Sequence, residues 1–260
     1  YLGGIGTYVK ARSEANIDVG DKANDGVRIN GSELRVRVVG EGANLGLTQA
    51  GRIEYALAGG RIDTDAIDNS AGVDTSDHEV NIKILTGMLE RTGELTRKRR
   101  DTLLQSMTDD VGRHVLAHNY DQTLALSLME MDSVGELLPH AQFMAELESK
   151  GRLDRVVEGL PDATAIAERA QMGIGLTRPE LAVLLAYGKL ELKREIVASD
   201  AADDPYFEGL LVDYFPKALR KWEEPMRRHR LRRDIIATVV ANDVINRCGA
   251  SFPSRLMPAA

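Results

Sequence analysis

The sequence is poor in several features whose scarcity narrows the choice of protein class. Its single cysteine, Cys248, excludes an intrachain disulfide framework and favours a reducing, cytoplasmic setting. No apolar run reaches the roughly 18 residues of a membrane-spanning helix, and no signal-peptide pattern opens the chain. Basic residues are not in excess, because the formal net charge is −7. We therefore expect neither a membrane nor a nucleic acid as partner.

The basic residues that are present concentrate in two short stretches, 91–100 and 220–233. The second stretch is interrupted by Glu223 and Glu224 and contains one aromatic residue, Trp222. Cationic helix faces of this kind are usually solvated or paired with acidic side chains, so they do not change that expectation. Cys248 ends an apolar segment and is expected to be buried as a small hydrophobic residue.

The 260 residues are 43% hydrophobic, which is enough for a substantial core. Residues 1–84 are rich in glycine and turns. The predicted order is a strand (34–40), a loop, a helix (50–60), and then, over 61–72, a short strand that leads into a small-residue turn; this order predicts an α/β unit with parallel strands. Residues 85–260 show helical spacing of apolar positions. Thr177 and Glu180 have the spacing of a capping box before one helix, and Gly249 is expected to end the helix over 234–248. The predicted fold class is α/β plus all-α, predominantly helical overall.

The segment "DNSAGVDTSDHEVNIKIL", residues 68–85, concentrates acidic residues, a histidine and small residues before an apolar run. A calcium loop starting at Asp68 would put Gly72 where a ligand is required. Asp74, Asp77, His78 and Glu79 do not form a two-histidine zinc pattern either. The spacing along the segment therefore predicts no metal ligands.

Two other interpretations of this segment remain open. Ser76 followed by Glu79 has the capping-box spacing, which predicts a helix that begins at Ser76 and needs no further function. A helix N-terminus also attracts carboxylate or phosphate groups, and ligands of parallel sheets bind beyond the carboxyl ends of the strands. The small polar turns after Val39 and Ile67 are therefore candidate ligand-binding loops.

Several long segments resemble one family, the large bacterial NAD-specific glutamate dehydrogenases. The resemblance covers essentially the whole chain and is carried by the following segments: "GGIGTYVKA", "VVGEGANLGLTQAGRIEYA", "TDAIDNSAGVDTSDHEVNIKIL", "LTRPELAVLLAYGKLELK" and "HRLRRDIIATVVANDVINRCG". It implies that residues 1–84 are the second half of a Rossmann-like NAD-binding domain and that residues 85–260 form a helical C-terminal domain.

The smaller glutamate dehydrogenases carry the motifs E-G-A-N-G-P-T-T and N-A-G-G-V-x-x-S, which are similar to residues 41–48 and 69–76. The resemblance implies that Asn44 and Asn69 hydrogen-bond the nicotinamide nucleotide, and that Ser76 contacts the distal carboxylate of glutamate. The cofactor contacts implied in full are Gly42, Ala43, Asn44, Asn69 and Gly72; the substrate contacts are Val73 and Ser76. Leu47 and the pair Asp77-His78 depart from the smaller enzymes' motifs.

The chain opens with Tyr1-Leu2 in place of methionine, and it contains no G-x-G-x-x-G phosphate turn. By the resemblance, that turn and the catalytic lysine and aspartate lie upstream, so the chain is expected to be an inactive fragment on its own. The implied activity of the whole is oxidation of L-glutamate to 2-oxoglutarate and ammonium with NAD, by a homo-oligomer. The alternative hypothesis is a structural or regulatory helical module for oligomerisation or effector binding.

Overall fold

Helices carry most of the chain, as the apolar spacing predicts. A computed structural model describes residues 1–256, with the backbone alone for Leu256. Contacts group the chain into two units, one formed by residues 1–70, 122–188 and the segment from 246 onward, the other by residues 71–121 and 189–245. Within residues 1–256, no helix combines the length and apolar character needed to cross a membrane.

The strands of the first unit form two separate parallel pairs, as expected for an α/β unit. The strands are β1 (Val9–Lys10), β2 (Ile29–Asn30), β3 (Val38–Val39) and β4 (Arg61–Ile62). In the second pair, Val38 lies opposite Arg61 and Val39 opposite Ile62. Two helices lie between paired strands in the sequence: α1 (Asn16–Val19) and α2 (Gln49–Leu57). The order β3, α2, β4 is therefore a short parallel crossover unit.

One predicted strand is shorter than the sequence indicated, and the other is confirmed. The strand expected over 34–40 is confined to Val38–Val39, and the short strand expected at the start of 61–72 is Arg61–Ile62. The turn expected after it is helical instead: the Thr64 carbonyl accepts hydrogen bonds from the amides of Ile67 and Asp68. The small residues that follow belong to helices instead of a turn.

The remaining helices run from residue 65 to the end of the described chain. They are α3 (Asp65–Asp68), α4 (Ser70–Arg91), α5 (Arg97–Ser106), α6 (Thr108–Met131), α7 (Leu137–Ser149), α8 (Arg155–Glu158), α9 (Ala163–Met172), α10 (Arg178–Ala198), α11 (Glu208–Tyr214), α12 (Glu223–Arg227), α13 (Arg232–Cys248) and α14 (Phe252–Leu256). Five short 3-10 turns supplement them: Lys22–Asn24, Gly31–Glu33, Asp200–Asp203, Pro205–Phe207 and Lys217–Trp222.

The prediction that Ser76 caps a helix is wrong. Helix α4 begins at Ser70, so Ser76 lies inside it, and Glu79 pairs with Lys83 instead of reaching back. Only Asn69 separates α3 from α4, and its amide bonds the Asp65 carbonyl at 2.8 Å. Because the chain enters α4 from a turn that is already helical, no new start is needed six residues later.

Two other helix boundaries confirm the sequence signals. At the start of α10, the Glu180 carboxylate accepts a hydrogen bond from the Thr177 amide at 2.6 Å, which is the reach-back half of the predicted capping box. Arg169 of α9 also binds both oxygens of that buried carboxylate, at 2.8 Å each. At the end of α13, Gly249 has φ +86°, the left-handed conformation expected of a residue that follows a helix.

Each unit has its own apolar core. In the first unit, one buried cluster packs the strands against α2 and consists of Val9, Leu47, Tyr55 and Ile62. The second unit has a larger cluster that gathers residues from α4, α11, α12, α13 and the segments next to these and other helices: Ile82, Leu85, Met107, Leu211, Val212, Phe215, Leu219, Met226, Ile235 and Ile236. Cys248 is exposed, so the expectation that it is buried is wrong; it lies on the outward face of the last turn of α13.

Two glycine substitutions test whether backbone conformation alone fixes the end of α13. A Cβ at Gly249 would meet open space, so Gly249→Ala should lower the free energy of unfolding only through its positive φ, by about 1–2 kcal/mol. Gly112, inside α6, also faces open space but has an ordinary helical conformation, so Gly112→Ala should raise that free energy by roughly 0.5–1 kcal/mol. Denaturant titration of the two variants measures both changes; equal signs would contradict the assignment.

Candidate functional site

A buried ion pair organises the loop that follows β3. The side chain of Glu41 is fully buried, and its two oxygens accept from Arg52 Nε at 2.7 Å and Nη2 at 2.9 Å. Oε1 also accepts from the Leu47 amide at 3.0 Å. Arg52 lies on α2, so this two-point bond attaches the start of the loop over 41–47 to that helix, and the Leu47 amide attaches the end of the loop to Glu41. Such a bidentate pair fixes orientation as well as distance.

The far side of the same loop is attached to α3. Arg52 Nη2 lies 3.2 Å from Asp65 Oδ1, and the other oxygen of Asp65 accepts from the Leu45 amide at 2.7 Å. Leu45 has φ +62°, the one positive φ of a residue other than glycine in the described chain. A leucine in this conformation costs roughly 1–2 kcal/mol, and the hydrogen bond to Asp65 offsets part of that strain.

These attachments bring together two of the residues predicted to bind cofactor. Asn69 Nδ2 donates to Asn44 Oδ1 at 3.2 Å. Asn44 is exposed and Asn69 is half-buried, so solvent reaches the pair. Among the described residues, Asn44 Nδ2 and Asn69 Oδ1 have no protein partner. The pair therefore presents one amide donor group and one amide acceptor.

Gly42 and Ala43 lie on the same loop as Asn44. The Ala43 amide donates to the Leu2 carbonyl at 3.0 Å, which holds the loop against the start of the chain. A Cβ at Gly42 would come within 1.8 Å of the Tyr1 hydroxyl, so a larger residue there would displace Tyr1. Both residues contribute backbone, and neither offers a reactive side chain.

Asp68 adds a partly buried carboxyl group to this arrangement. It accepts from the Glu41 amide at 2.8 Å, so α3 holds the loop by a second contact. Burial raises the pKa of Asp68 to about 6 against that hydrogen bond, and the nearby carboxylates of Asp63 and Glu41 add to the rise. Near neutral pH this carboxyl group is close to its titration range, unlike an ordinary aspartate.

The other three predicted site residues lie on α4 in the second unit. Gly72, Val73 and Ser76 are all exposed on the first two turns of that helix. His78, two residues after Ser76, is fully buried, and burial lowers its pKa to about 4, although Asp74 acts in the opposite direction. Its imidazole is therefore neutral at neutral pH.

Arg178, in the "LTRPE" segment, connects distant parts of the first unit. It pairs with Asp63, which directly follows β4, and donates to Ser127 Oγ at 3.0 Å and to the Thr123 carbonyl at 3.1 Å on α6. Burial raises the pKa of Asp63, although Arg178 acts against the rise. Arg178 thus fixes the start of α10 beside the end of β4.

Sequence reasoning missed the residues that hold the site in place: Glu41, Arg52, Asp65, Asp68 and Arg178. Glu41 stood inside a quoted motif, but its partner follows 11 residues later, outside the range of any helical or strand spacing rule. Glu41 lies between Gly40 and Gly42, and nothing in that local sequence indicates a buried carboxylate, since an unpaired glutamate is normally solvated.

Comparison with known proteins gives this arrangement a family. The family described as bacterial NAD-glutamate dehydrogenase, catalytic domain, matches residues 1–129, and glutamate dehydrogenase, C-terminal, matches residues 173–260. The NAD-specific glutamate dehydrogenases of Pseudomonas aeruginosa and Halomonas elongata are each 50% identical to the chain, over 255 and 256 residues. That of Mycobacterium tuberculosis is 48% identical over 257 residues.

Each of these relatives matches 98% of this chain, whereas the chain spans 16% of the length of each relative. The Arg178–Asp63 ion pair joins a residue of one family match to a residue of the other, because Asp63 belongs to the first match and Arg178 to the second. Each segment quoted from the sequence lies within one of the two matches. The chain therefore belongs to the bacterial NAD-specific glutamate dehydrogenase family, as a portion of a much longer protein.

Proposed function

We propose that this chain supplies one wall of the cofactor and substrate site of an NAD-dependent glutamate dehydrogenase. The whole protein would convert L-glutamate, NAD and water to 2-oxoglutarate, ammonium and NADH. The observation that carries the proposal is the Asn44–Asn69 pair, which the Glu41–Arg52–Asp65 network holds in one orientation. Hydride transfer requires the glutamate Cα–H to be held against the nicotinamide ring, so positioning is the contribution expected of this portion.

The residues of the first unit fit a nicotinamide nucleotide in two respects. The free amide donor of Asn44 and acceptor of Asn69 match the carboxamide and ribose hydroxyl groups of such a ligand. The two asparagines also follow neighbouring parallel strands, Asn44 after β3 and Asn69 after β4, and ligands of parallel sheets bind at that edge. NAD, when bound, would supply the hydride acceptor; Gly42 and Ala43 would allow close approach to the backbone.

The substrate contacts proposed on α4 involve Ser76 and Val73, with Gly72 beside them as a cofactor contact. The Ser76 hydroxyl would donate a hydrogen bond to the distal carboxylate of glutamate. Val73, whose side chain is 67% exposed, would cover the methylene carbons of the substrate. Because Ser76 lies inside α4, its hydroxyl does not cap the N-terminus of that helix.

Further parts of this proposal concern the whole protein. Residues 1–84 would be the second half of a Rossmann-like domain and residues 85–260 a helical domain, and the catalytic lysine and aspartate would lie upstream. The chain alone would then be inactive. A homo-oligomer and a cytoplasmic location remain predictions.

A regulatory role of the helical portion is favoured by one observation. In the second unit, a groove of about 520 Å³ combines apolar with cationic side chains; it is lined by Leu95, Lys98, Arg99, Thr102, Leu103, Ser106, Lys221 and Trp222. An anionic effector with an apolar part suits that lining.

The cofactor assignment predicts a specific effect of the two asparagines. In the full-length enzyme, Asn44→Ala and Asn69→Ala should each lower kcat/KM for NAD by roughly 2- to 12-fold, the value of one net hydrogen bond of about 0.5–1.5 kcal/mol. Asn16→Ala, an exposed asparagine on α1, serves as the matched control and should leave kcat/KM unchanged. Unaltered NAD kinetics in both site variants would overturn the assignment.

The substrate assignment is tested separately on α4. Ser76→Ala should lower kcat/KM for glutamate by about 10- to 150-fold, since a hydrogen bond to a charged group contributes roughly 1.5–3 kcal/mol. For a substrate with a methyl group in place of the distal carboxylate, Ser76→Ala should change kcat/KM little.

Thr75→Ala is the matched control for Ser76→Ala, because the Thr75 hydroxyl already donates to the Ala71 carbonyl at 2.7 Å. Thermal stability should not fall in Ser76→Ala, since alanine is the better helix former. Equal losses of kcat/KM for both substrates would contradict a contact between Ser76 and the distal carboxylate.

A further inference from the structure

Three side chains of the second unit converge beside the buried face of α4. Asp74 and His78 are four residues apart on that helix and therefore share a face. His118 comes from α6, and its Nδ1 lies 2.7 Å from Asp74 Oδ2. His78 Nε2 lies 3.8 Å from Asp74 Oδ1. One nitrogen or oxygen from each residue can be chosen so that all three atoms lie within 4.8 Å of one another.

The imidazole of His78 lacks the hydrogen bonds that a buried ring normally makes. The side chain is fully buried, yet neither Nδ1 nor Nε2 has a hydrogen-bond partner. The Tyr214 ring stacks on it with 4.4 Å between centroids, but the Tyr214 hydroxyl is engaged by Asn81 Nδ2 at 2.9 Å. Leaving a buried polar atom without a hydrogen bond destabilises the folded chain, so a ring with two such atoms requires an explanation.

We propose that Asp74, His78 and His118 form a binding site for a divalent transition cation such as Zn²⁺. Two imidazoles and a carboxylate are ligands that zinc prefers, and three protein ligands leave a fourth position for solvent. Zinc to nitrogen or oxygen distances of about 2.0–2.2 Å place tetrahedral ligand atoms roughly 3.3–3.6 Å apart. The observed separations, 2.7 Å from His118 Nδ1 to Asp74 Oδ2 and 3.8 Å from His78 Nε2 to Asp74 Oδ1, lie on either side of that range. They involve different oxygens of Asp74, so coordination by a single oxygen of Asp74 requires its side chain to rotate.

The exposure of the three ligands gives the cation a route to the site. The side chain of His118 is 46% exposed and that of Asp74 is 26% exposed, whereas His78 lies beneath them. Solvent therefore reaches the site through His118 and Asp74. A cation that enters there would be coordinated by His78 Nε2. Bound there, it would join α4 to α6 within the second unit.

The sequence prediction of no metal ligand in this segment considered only spacing along the segment itself. The third ligand lies 40 residues beyond His78, on another helix, and no local spacing rule connects them. None of the three ligands is among the residues proposed to contact NAD and glutamate, although Asp74 and His78 flank Ser76 along α4. Zn²⁺ binding is measured without NAD or glutamate, so either proposal can fail while the other stands.

Metal binding by the full-length protein tests the proposal. Zn²⁺ is added in competition with a chromophoric chelator, and Co²⁺ absorption in the visible range reports the coordination geometry. We expect each wild-type chain to bind one additional Zn²⁺ tightly. His118→Ala and Asp74→Asn should each lack that tightly bound ion. Both altered residues are partly exposed, and circular dichroism checks that the variants stay folded.

Two controls separate this site from its neighbours. His114→Ala removes another imidazole of α6, whose ring centroid lies 5.7 Å from that of His78, and should retain the Zn²⁺. Cys248→Ser removes the exposed thiol as a competing ligand and should retain it as well. The proposal is overturned if His118→Ala and Asp74→Asn bind as many Zn²⁺ ions as the wild type, or if saturation requires millimolar Zn²⁺.

Discussion

The buried ion pair between Glu41 and Arg52 is the interaction on which the geometry of the candidate cofactor site depends. Two charges removed from water are tolerable only when each is well bonded, and here the carboxylate has both oxygens engaged by the guanidinium. Removing either partner would leave an uncompensated buried charge. The pair therefore fixes the loop after β3 to α2, and with it the position of Asn44 beside Asn69.

The same constraint sets the geometry of the edge at which the segments after β3 and β4 meet. The candidate site lies where the segments that follow two short parallel strands meet at one edge. Carboxylates of α3 accept hydrogen bonds from the backbone amides of the loop there. The proposed contact with a nicotinamide nucleotide requires amide groups that are held in this way. Arg178 then extends the frame from the end of β4 to α10, so residues of both family matches belong to one hydrogen-bonded arrangement.

Local signals in the sequence predicted what depends on local physics. Gly249 and the Thr177–Glu180 pair were found because a helix end imposes its own requirements on the backbone. Ser76 shows the limit of such signals: its capping-box spacing was real, but the turn at α3 had already started the helix. Glu41–Arg52 and Asp74–His118 could not be predicted, since each joins residues whose proximity arises only in the folded chain.

The most direct test of the central claim is a double-mutant cycle between Glu41→Gln and Asn44→Ala, measured as kcat/KM for NAD in the full-length enzyme. Glu41 is buried and acts only by holding the loop, so Glu41→Gln should lower kcat/KM for NAD, and Asn44→Ala should then cost little more. Such a shortfall from additivity, beyond the roughly 0.3–0.5 kcal/mol seen for independent sites, is the predicted result. Losses that simply add, or a Glu41→Gln variant with unchanged NAD kinetics, would contradict it.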